Sequence, residues 1–330
     1  MKISRREFLK WSVAAAVALN IDLDMDRVNT VLAAETDPPV IWLNGSGCSG
    51  CTISTLNVTN PTTIDNVLSS KISLKYDTTL MTAAGNTAMQ TLDEAADNYN
   101  GQFILVVEGA VPTGESGNYC IIGEQNGSPL TMEQAVLKYG PMAKYVVAAG
   151  TCASFGGVSG ASSATGCKSV STVLSGKTTN PVINLSGCPV HPTVMVQTLL
   201  DLILTGAPAV DSNNRPTKYY GTTVHKQCER RGKEKVKQPG IYGCYGSIGC
   251  KGPQCSNVCP SMKWNNGVSF CIAANQPCMG CANPAFPTNP LIDVVSGATK
   301  KANNDEESNE KNQKDKTKVD TVSGATLKKG

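Results

Sequence analysis

Charge is scarce in this sequence and aromatic residues are scarcer. Asp, Glu, Lys and Arg make up 17% of the 330 residues and leave a net charge of +3, too small to argue for nucleic acid or an anionic membrane as partner. Phe, Trp and Tyr reach 5%, so recognition by stacking on aromatic platforms is not expected. Long hydrophobic runs are missing too. The apolar stretch "WSVAAAVAL" (11–19) is shorter than the roughly 20 residues of a membrane span, and no run in the last forty residues could anchor one. No substrate-pocket signature stands out. Apolar residues at 40%, with 31 Gly and 18 Pro, describe a folded, loop-rich chain of one large or two ordinary domains.

Cysteine is what the sequence has in quantity: fourteen of them. Their meaning depends on the compartment, and the N-terminus bears on that. "SRREFLKW" (4–11) matches a twin-arginine export signal: Arg5 and Arg6, then Phe8, Leu9 and Lys10, then the short apolar run, with "VLAAE" (31–35) offering cleavage after Ala33 or Ala34. Residues 1–34 therefore read as a signal peptide. The mature chain is expected in the periplasm or at the extracytoplasmic cell surface. Export favours disulfides, but the twin-arginine route carries proteins already folded, often with metal cofactors loaded. The spacing of the cysteines has to decide.

After the signal, apolar runs alternate with helix-like segments. "PVIWLNG" (39–45), "KISLKYDTTL" (71–80), "FILVVEGAVP" (103–112), "AKYVVAAG" (143–150) and "NPVINLSG" (180–187) read as strands. "TAMQTLDEAADNY" (87–99) is helical by pattern with Gly101 as its stop, and "PTVMVQTLLDLIL" (192–204) is a helix opened by Pro192. Strands interleaved with helices predict an α/β fold with a doubly wound parallel sheet over 35–205. Residues 206–290, dense in Gly, Pro and Cys, need staples such as metal clusters. Residues 291–330 form a polar tail with little to bury, expected to be disordered.

Four cysteines stand directly behind predicted strands: Cys48 and Cys51 in "GCSGC", Cys152 in "AAGTCASFGG", Cys188 in "LSGCPVHP". Loops at the carboxyl ends of such strands converge on a common site. Three of them would assemble four thiolates, the number a [4Fe–4S] cube takes, with Gly47, Gly50, Gly150 and Gly187 allowing close backbone approach. The cysteine-rich segment offers two further sets. His225, Cys228, Cys244 and Cys250 could equally hold zinc. Cys259, Cys271, Cys278 and Cys281 are another group of four.

Taken in order, "WLNGSGCSGCT", "LVVEGAVP", "GTCASFGG", "GCPVHP", "CERRG" after His225, "GCKGPQ" and "CMGCANPAFP" resemble the small subunit of [NiFe] hydrogenases over about residues 38–290. "YCIIGE" and "SFCIAANQPCMGC" are similar to the periplasmic, selenium-type branch. The resemblance implies a flavodoxin-like sheet and a chain that relays electrons. It implies a proximal [4Fe–4S] cluster on Cys48, Cys51, Cys152 and Cys188, and a distal [4Fe–4S] cluster on His225, Cys228, Cys244 and Cys250. Many members hold a medial [3Fe–4S] cluster on three cysteines and have proline where this chain has Cys271. The fourth thiolate here implies a medial [4Fe–4S] on Cys259, Cys271, Cys278 and Cys281. The Ni–Fe site would belong to a separate large subunit, [NiFe] or [NiFeSe], held by paired C-x-x-C motifs near that subunit's two ends, an arrangement this chain does not have. The electron acceptor would be a cytochrome, a flavoprotein or a membrane redox partner.

Oxygen-tolerant members carry an extra cysteine beside the second proximal ligand. Gly50 stands there, which implies the oxygen-sensitive type. The segment between Cys228 and Cys244 is shorter and more basic than the family's. Cys120, Cys167 and Cys255 are expected to be free thiols, His191 a structural hydrogen bonder, and Glu108 either a packing and capping group or one involved in proton movement or the subunit interface. Two other readings compete: a cluster subunit of the quinone-reductase type, which the N-terminal half also resembles but which lacks the second cysteine-rich domain, and a free-standing exported iron–sulfur or flavin carrier or sensor.

The tail repeats one phrase, "DVVSGAT" (293–299) and "DTVSGAT" (320–326). D-x-x-S-G-A-T resembles the site at which a flavin transferase attaches FMN to threonine through a phosphoester. That resemblance implies two covalent FMN groups, on Thr299 and Thr326.

Overall fold

The structure is a computed structural model that describes residues 37–161 and 163–287. The signal peptide (1–34) and the tail with Thr299 and Thr326 lie outside the described residues. In chain order the elements are β1 (Pro39–Asn44), α1 (Gly50–Leu56), α2 (Ile64–Ser70), β2 (Ser73–Asp77), α3 (Gly85–Asn98), β3 (Ile104–Glu108), β4 (Val111–Pro112), β5 (Ile121–Gln125), β6 (Ser128–Thr131), α4 (Met132–Tyr139), β7 (Tyr145–Ala149), α5 (Gly150–Phe155), β8 (Cys167–Lys168), α6 (Val170–Val173), β9 (Ile183–Leu185), α7 (Pro192–Leu204), α8 (Thr217–Tyr220), α9 (Val224–Gln227) and α10 (Cys259–Met262). Short 3-10 turns lie between some of them.

Five strands make one parallel sheet in the order β2-β1-β3-β7-β9. This is the doubly wound order in which the first strand is flanked by the second and third. Strands buried on both faces read as unbroken apolar runs, and alternate residues serve alternate faces. Val40, Trp42, Ile104, Val106, Tyr145 and Val147 face α7, where Val194, Met195 and Leu199 are buried. Ile41, Leu43, Leu105, Val107 and Val146 face α3 and α4. Each fully buried aliphatic side chain contributes about 1.5–3 kcal/mol, so the sheet is the principal source of stability.

Helix α3 buries Ala88, Met89, Leu92, Ala95 and Ala96, one stripe of an amphipathic pattern. Pro192 opens α7 at its first turn, where a missing N–H costs nothing. The hairpin β5–β6 turns at Asn126-Gly127, both with positive φ, and α4 starts on a capping box between Thr131 and Gln134.

The cysteine-rich segment does not form a core of its own among the described residues. Tyr219, Tyr220, Val224, Val258, Phe270, Ile272 and Ala282 join the same apolar cluster as the α7 face of the sheet. Polar ties fix the seam: the Tyr220 hydroxyl donates to the Ser186 carbonyl at 2.8 Å, and Ser186 Oγ and Arg215 Nη1 donate to the Ala282 carbonyl at 2.9 and 3.1 Å. No helix among the described residues is long and apolar enough to cross a membrane.

Candidate metal centres

Four neighbouring strand ends build the first centre. Cys48 follows β1 and Cys51 lies in the first turn of α1; Cys152 lies in α5 behind β7; Cys188 follows β9. Between them, β3 ends on Glu108. Gly150 has φ +83, and a Cβ there would run into the Cys51 sulfur; a Cβ at Gly187 would meet the Pro189 carbonyl oxygen at 2.6 Å. Only glycine lets these loops close on one another. Burial pushes the Cys51 thiol well above its usual range, and the Glu108, Cys152 and Cys188 charges add to that. Cys188 is raised by burial and by Cys152 and Cys48. All four sulfurs thus share one electrostatic neighbourhood. The Val190 amide donates to the Cys51 sulfur at 3.5 Å.

Glu108 is the residue whose role the sequence left open. It is buried, and its carboxylate accepts from the Cys51 amide (2.8 Å), the Thr52 amide (3.0 Å), the Thr52 hydroxyl and the Trp42 indole N–H (3.2 Å). It therefore caps the amide end of α1 and clamps the C-x-x-C loop to the sheet. Of the readings open for Glu108, capping is the one these contacts describe.

His225, Cys228, Cys244 and Cys250 line one cavity with Arg230, Arg231, Tyr245, Gly252 and Ile272. Helix α9 sets the first two, capped by the Thr223 hydroxyl, which accepts from the Lys226 amide at 3.2 Å. The Cys228 sulfur accepts from the Arg230 amide at 3.4 Å. Arg230 is buried over the Tyr245 and Tyr242 rings, its guanidinium carbon 4.8 and 5.0 Å from their centroids, and one Nη donates to Asn275 at 2.7 Å. Its Nε and Nη1 have no hydrogen-bond partner. A buried cation with two orphaned donors at a thiol-lined cavity fits an anionic guest.

Cys259, Cys271, Cys278 and Cys281 form the third group, and every pair among them interacts electrostatically. Burial pushes Cys259 up to about 11, against an opposing hydrogen bond with Trp264. Cys278 is raised chiefly by a hydrogen bond with the Cys255 thiol, and then by burial. Burial likewise raises Cys281. As bare thiols these groups would stay protonated at neutral pH; bound iron reverses that preference by stabilising the thiolate. The donor set therefore fits a cationic metal core. Among the described residues no three His, Cys, Asp or Glu side chains meet tightly enough for a single ion. A mononuclear zinc site needs four ligands within about 2.0–2.3 Å of one centre, whereas a multi-iron cluster is held from around its volume.

The groups touch in series. The Cys188 backbone neighbours the Cys281 sulfur, and the Thr151 hydroxyl, next to Cys152, donates to the Cys281 carbonyl. At the other side the Lys251 amide, next to Cys250, donates to the Cys278 carbonyl at 2.8 Å, and the Cys278 and Cys271 charges reach the Cys250 sulfur. The group containing Cys259 thus stands between the other two.

Of the remaining cysteines, Cys255 is buried against Cys278, and Cys120 feels the charge of Cys167, whose sulfur accepts from Thr165. His191 Nε2 faces the Lys263 carbonyl, and its ring lies 4.8 Å from that of Trp264. Both of its described contacts are structural.

Two family models match the chain. One, the 20 Kd subunit of NADH ubiquinone oxidoreductase, covers residues 48–202; the other, the C-terminal part of the NiFe/NiFeSe hydrogenase small subunit, covers 220–292. The chain is 35% identical to the periplasmic [NiFeSe] hydrogenase small subunit of Desulfomicrobium baculatum, across 87% of this chain and 97% of the relative. It is 36% identical to the quinone-reactive Ni/Fe-hydrogenase small chain of Wolinella succinogenes, across 86% and 81%. It superposes on a chain of the recombinant [NiFeSe] hydrogenase of Desulfovibrio vulgaris Hildenborough with a TM-score of 0.72 at 36% identity, covering 78% of this chain and 97% of that one. The first model alone would leave the quinone-reductase reading open. The second falls on the cysteine-rich segment that reading lacks, and together with these relatives it establishes that the chain belongs to the small-subunit family of [NiFe] and [NiFeSe] hydrogenases.

Proposed function

We propose that this chain holds three [4Fe–4S] clusters in series: a proximal one on Cys48, Cys51, Cys152 and Cys188, a medial one on Cys259, Cys271, Cys278 and Cys281, and a distal one on His225, Cys228, Cys244 and Cys250. When bound, such clusters supply one-electron carriers whose potentials follow cluster charge, hydrogen bonding and burial. The observation that carries the order is the pair of hydrogen bonds from Thr151, beside Cys152, to the Cys281 carbonyl and from Lys251, beside Cys250, to the Cys278 carbonyl. The protein holds its carriers by thiols that range from buried Cys51 and Cys278 to exposed Cys48, Cys188 and Cys271, braces the first with Glu108, and offers the last a buried guanidinium. The Ni–Fe active site lies on a large subunit. Cys48 is exposed and marks the face that the large subunit would cover; Ile53 in the helix behind it and Val158 in the loop after Cys152 are exposed apolar residues.

Cys271→Ala tests the medial assignment. It should remove about one iron per heterodimer and convert an oxidised cluster from EPR-silent to the paramagnetic three-iron form. Unchanged iron and unchanged spectra would sink the assignment. A free-standing carrier would purify without a nickel-containing partner; the relay subunit would not.

Segments 35–205 and 206–290 act as a proximal-cluster domain and a two-cluster domain. The twin-arginine signal exports the folded heterodimer to the periplasm, which agrees with the relative named periplasmic; replacing Arg5 and Arg6 by Lys should leave the enzyme in the cytoplasm. Gly50 beside Cys51 makes the enzyme oxygen-sensitive. A flavin transferase attaches FMN to Thr299 and Thr326, which lets the tail pass electrons onward; mass spectrometry of native material should find both threonines modified, and unmodified threonines would refute it.

A further inference from the structure

We propose that the exposed basic collar at the His225 set is a docking surface for a redox protein with an acidic face. The inference rests on reading that set as the electron exit. Charge is divided unevenly along the chain: residues 37–205 carry eleven Asp and Glu against six Lys and Arg, and residues 206–287 carry three against ten. Six of those ten fall between 226 and 237. Of these, Lys226, Arg231, Lys233, Lys235 and Lys237 are exposed, and Glu229 and Glu234 are the only acids among them.

This collar is fixed to the metal site. The Cys244 amide donates to the Glu234 carbonyl at 2.7 Å, and the Val236 amide donates to the Cys244 carbonyl at 3.0 Å. The Arg231 amide donates to the Cys228 carbonyl at 3.0 Å, and Arg231 also lines the cavity. Charges on 231–237 are therefore carried by backbone bonded directly to two of the four candidate ligands. Beside them Ile241 and Tyr242 are 46% and 63% exposed, and Tyr242 packs on buried Arg230. Exposed apolar residues next to a charged rim match the anatomy of a transient protein interface. The charges are strung along twelve residues of chain rather than gathered around one concavity. That suits a broad acidic face better than a single phosphate.

Complementary charge chiefly speeds encounter. It raises association rates about 10- to 1,000-fold at low ionic strength, and the gain is lost as salt screens it. The purified heterodimer, reduced by hydrogen, would be mixed with two probes: the acidic haem domain of a cytochrome b5 and a basic mitochondrial-type cytochrome c. Wild-type enzyme should reduce the acidic probe with a second-order rate that falls steeply with salt. The Lys233→Glu/Lys235→Glu/Lys237→Glu variant should reduce it at least about tenfold more slowly at low salt, reduce cytochrome c faster, and keep the wild-type rate with benzyl viologen. Acidic-probe rates indifferent to both salt and variant would overturn the proposal. So would lysine-dependent binding to phosphatidylglycerol vesicles without any effect on the acidic probe. EPR of the reduced enzyme separates the two levels: a distal signal with no lysine effect removes the docking surface only, whereas no distal signal removes the exit reading and the docking surface with it.

Discussion

Replacing Glu108 by Gln keeps the side chain's shape while removing its charge and one acceptor position. One carboxylate oxygen takes the Cys51 amide; the other takes the Thr52 amide, the Thr52 hydroxyl and the Trp42 indole. The better amide pose leaves the oxygen on the group of three and turns its NH₂ towards the Cys51 N–H. That orphans one buried donor, at about 1–3 kcal/mol, and takes the other three bonds from charge-assisted to neutral strength. The relieved cost of burying a carboxylate offsets part of the loss. A net local loss of about 2 kcal/mol is expected, which is roughly 30-fold in an opening equilibrium at 1.4 kcal/mol per decade. Glu108→Ala orphans Trp42 Nε1 and both amides, and should cost about 4 kcal/mol even with water entering. Hydrogen exchange of the 50–56 peptide in the purified heterodimer reads this directly. Protection there should fall about 30-fold for Gln and further for Ala, with the 192–204 helix unchanged, and iron bound at Cys51 should become easier to lose. Wild-type protection of 50–56 in both variants would refute the clamp.

Cys255→Ala should leave the iron content unchanged, because Cys255 touches the medial group through Cys278 alone; loss of iron on metal analysis would make it a ligand. Arg230→Leu removes the stacking on Tyr242 and Tyr245 and the bond to Asn275, contributions of about 0.5–2 kcal/mol each, so exchange in 241–246 should rise about tenfold or more. His191 is held below its ordinary value by burial, despite its hydrogen bond to Lys263. The unfolded chain therefore takes up the proton first. His191's contribution is complete above about pH 6.5 and is lost as pH falls towards the lower folded value. Loss of visible cluster absorbance should accelerate from pH 7.5 to 5.5 more in wild type than in His191→Gln; equal acceleration would show that His191 plays no part.

Much of the sheet was legible because parallel strands buried on both faces leave plain apolar runs. α7 was legible to the residue because Pro192 fixes its first turn and the apolar stripe ends at Leu204. The β5–β6 hairpin and α4 were missed although their signals are local: Asn126-Gly127 is a hairpin dipeptide, and Thr131 with Gln134 is a capping box. The cysteine groupings followed from spacing and resemblance. Their links did not, because the Cys188–Cys281 contact joins residues 93 positions apart. The role of Glu108 stayed open in the sequence for the same reason: its donors lie 56 to 66 residues upstream.

One consequence of the shared apolar cluster concerns repair. The cysteine-rich segment is seated on the sheet through Tyr220, Phe270 and Ile272 and tied at Ser186 and Ala282. Cys281 sits at that seam with its carbonyl held by Thr151, whereas the His225 cavity is lined in part by exposed Arg231. On the cluster assignment proposed above, iron at Cys281 could be exchanged only by parting the seam, which would expose part of the α7-face core. On that assignment the middle centre should exchange its metal more slowly than the His225 centre.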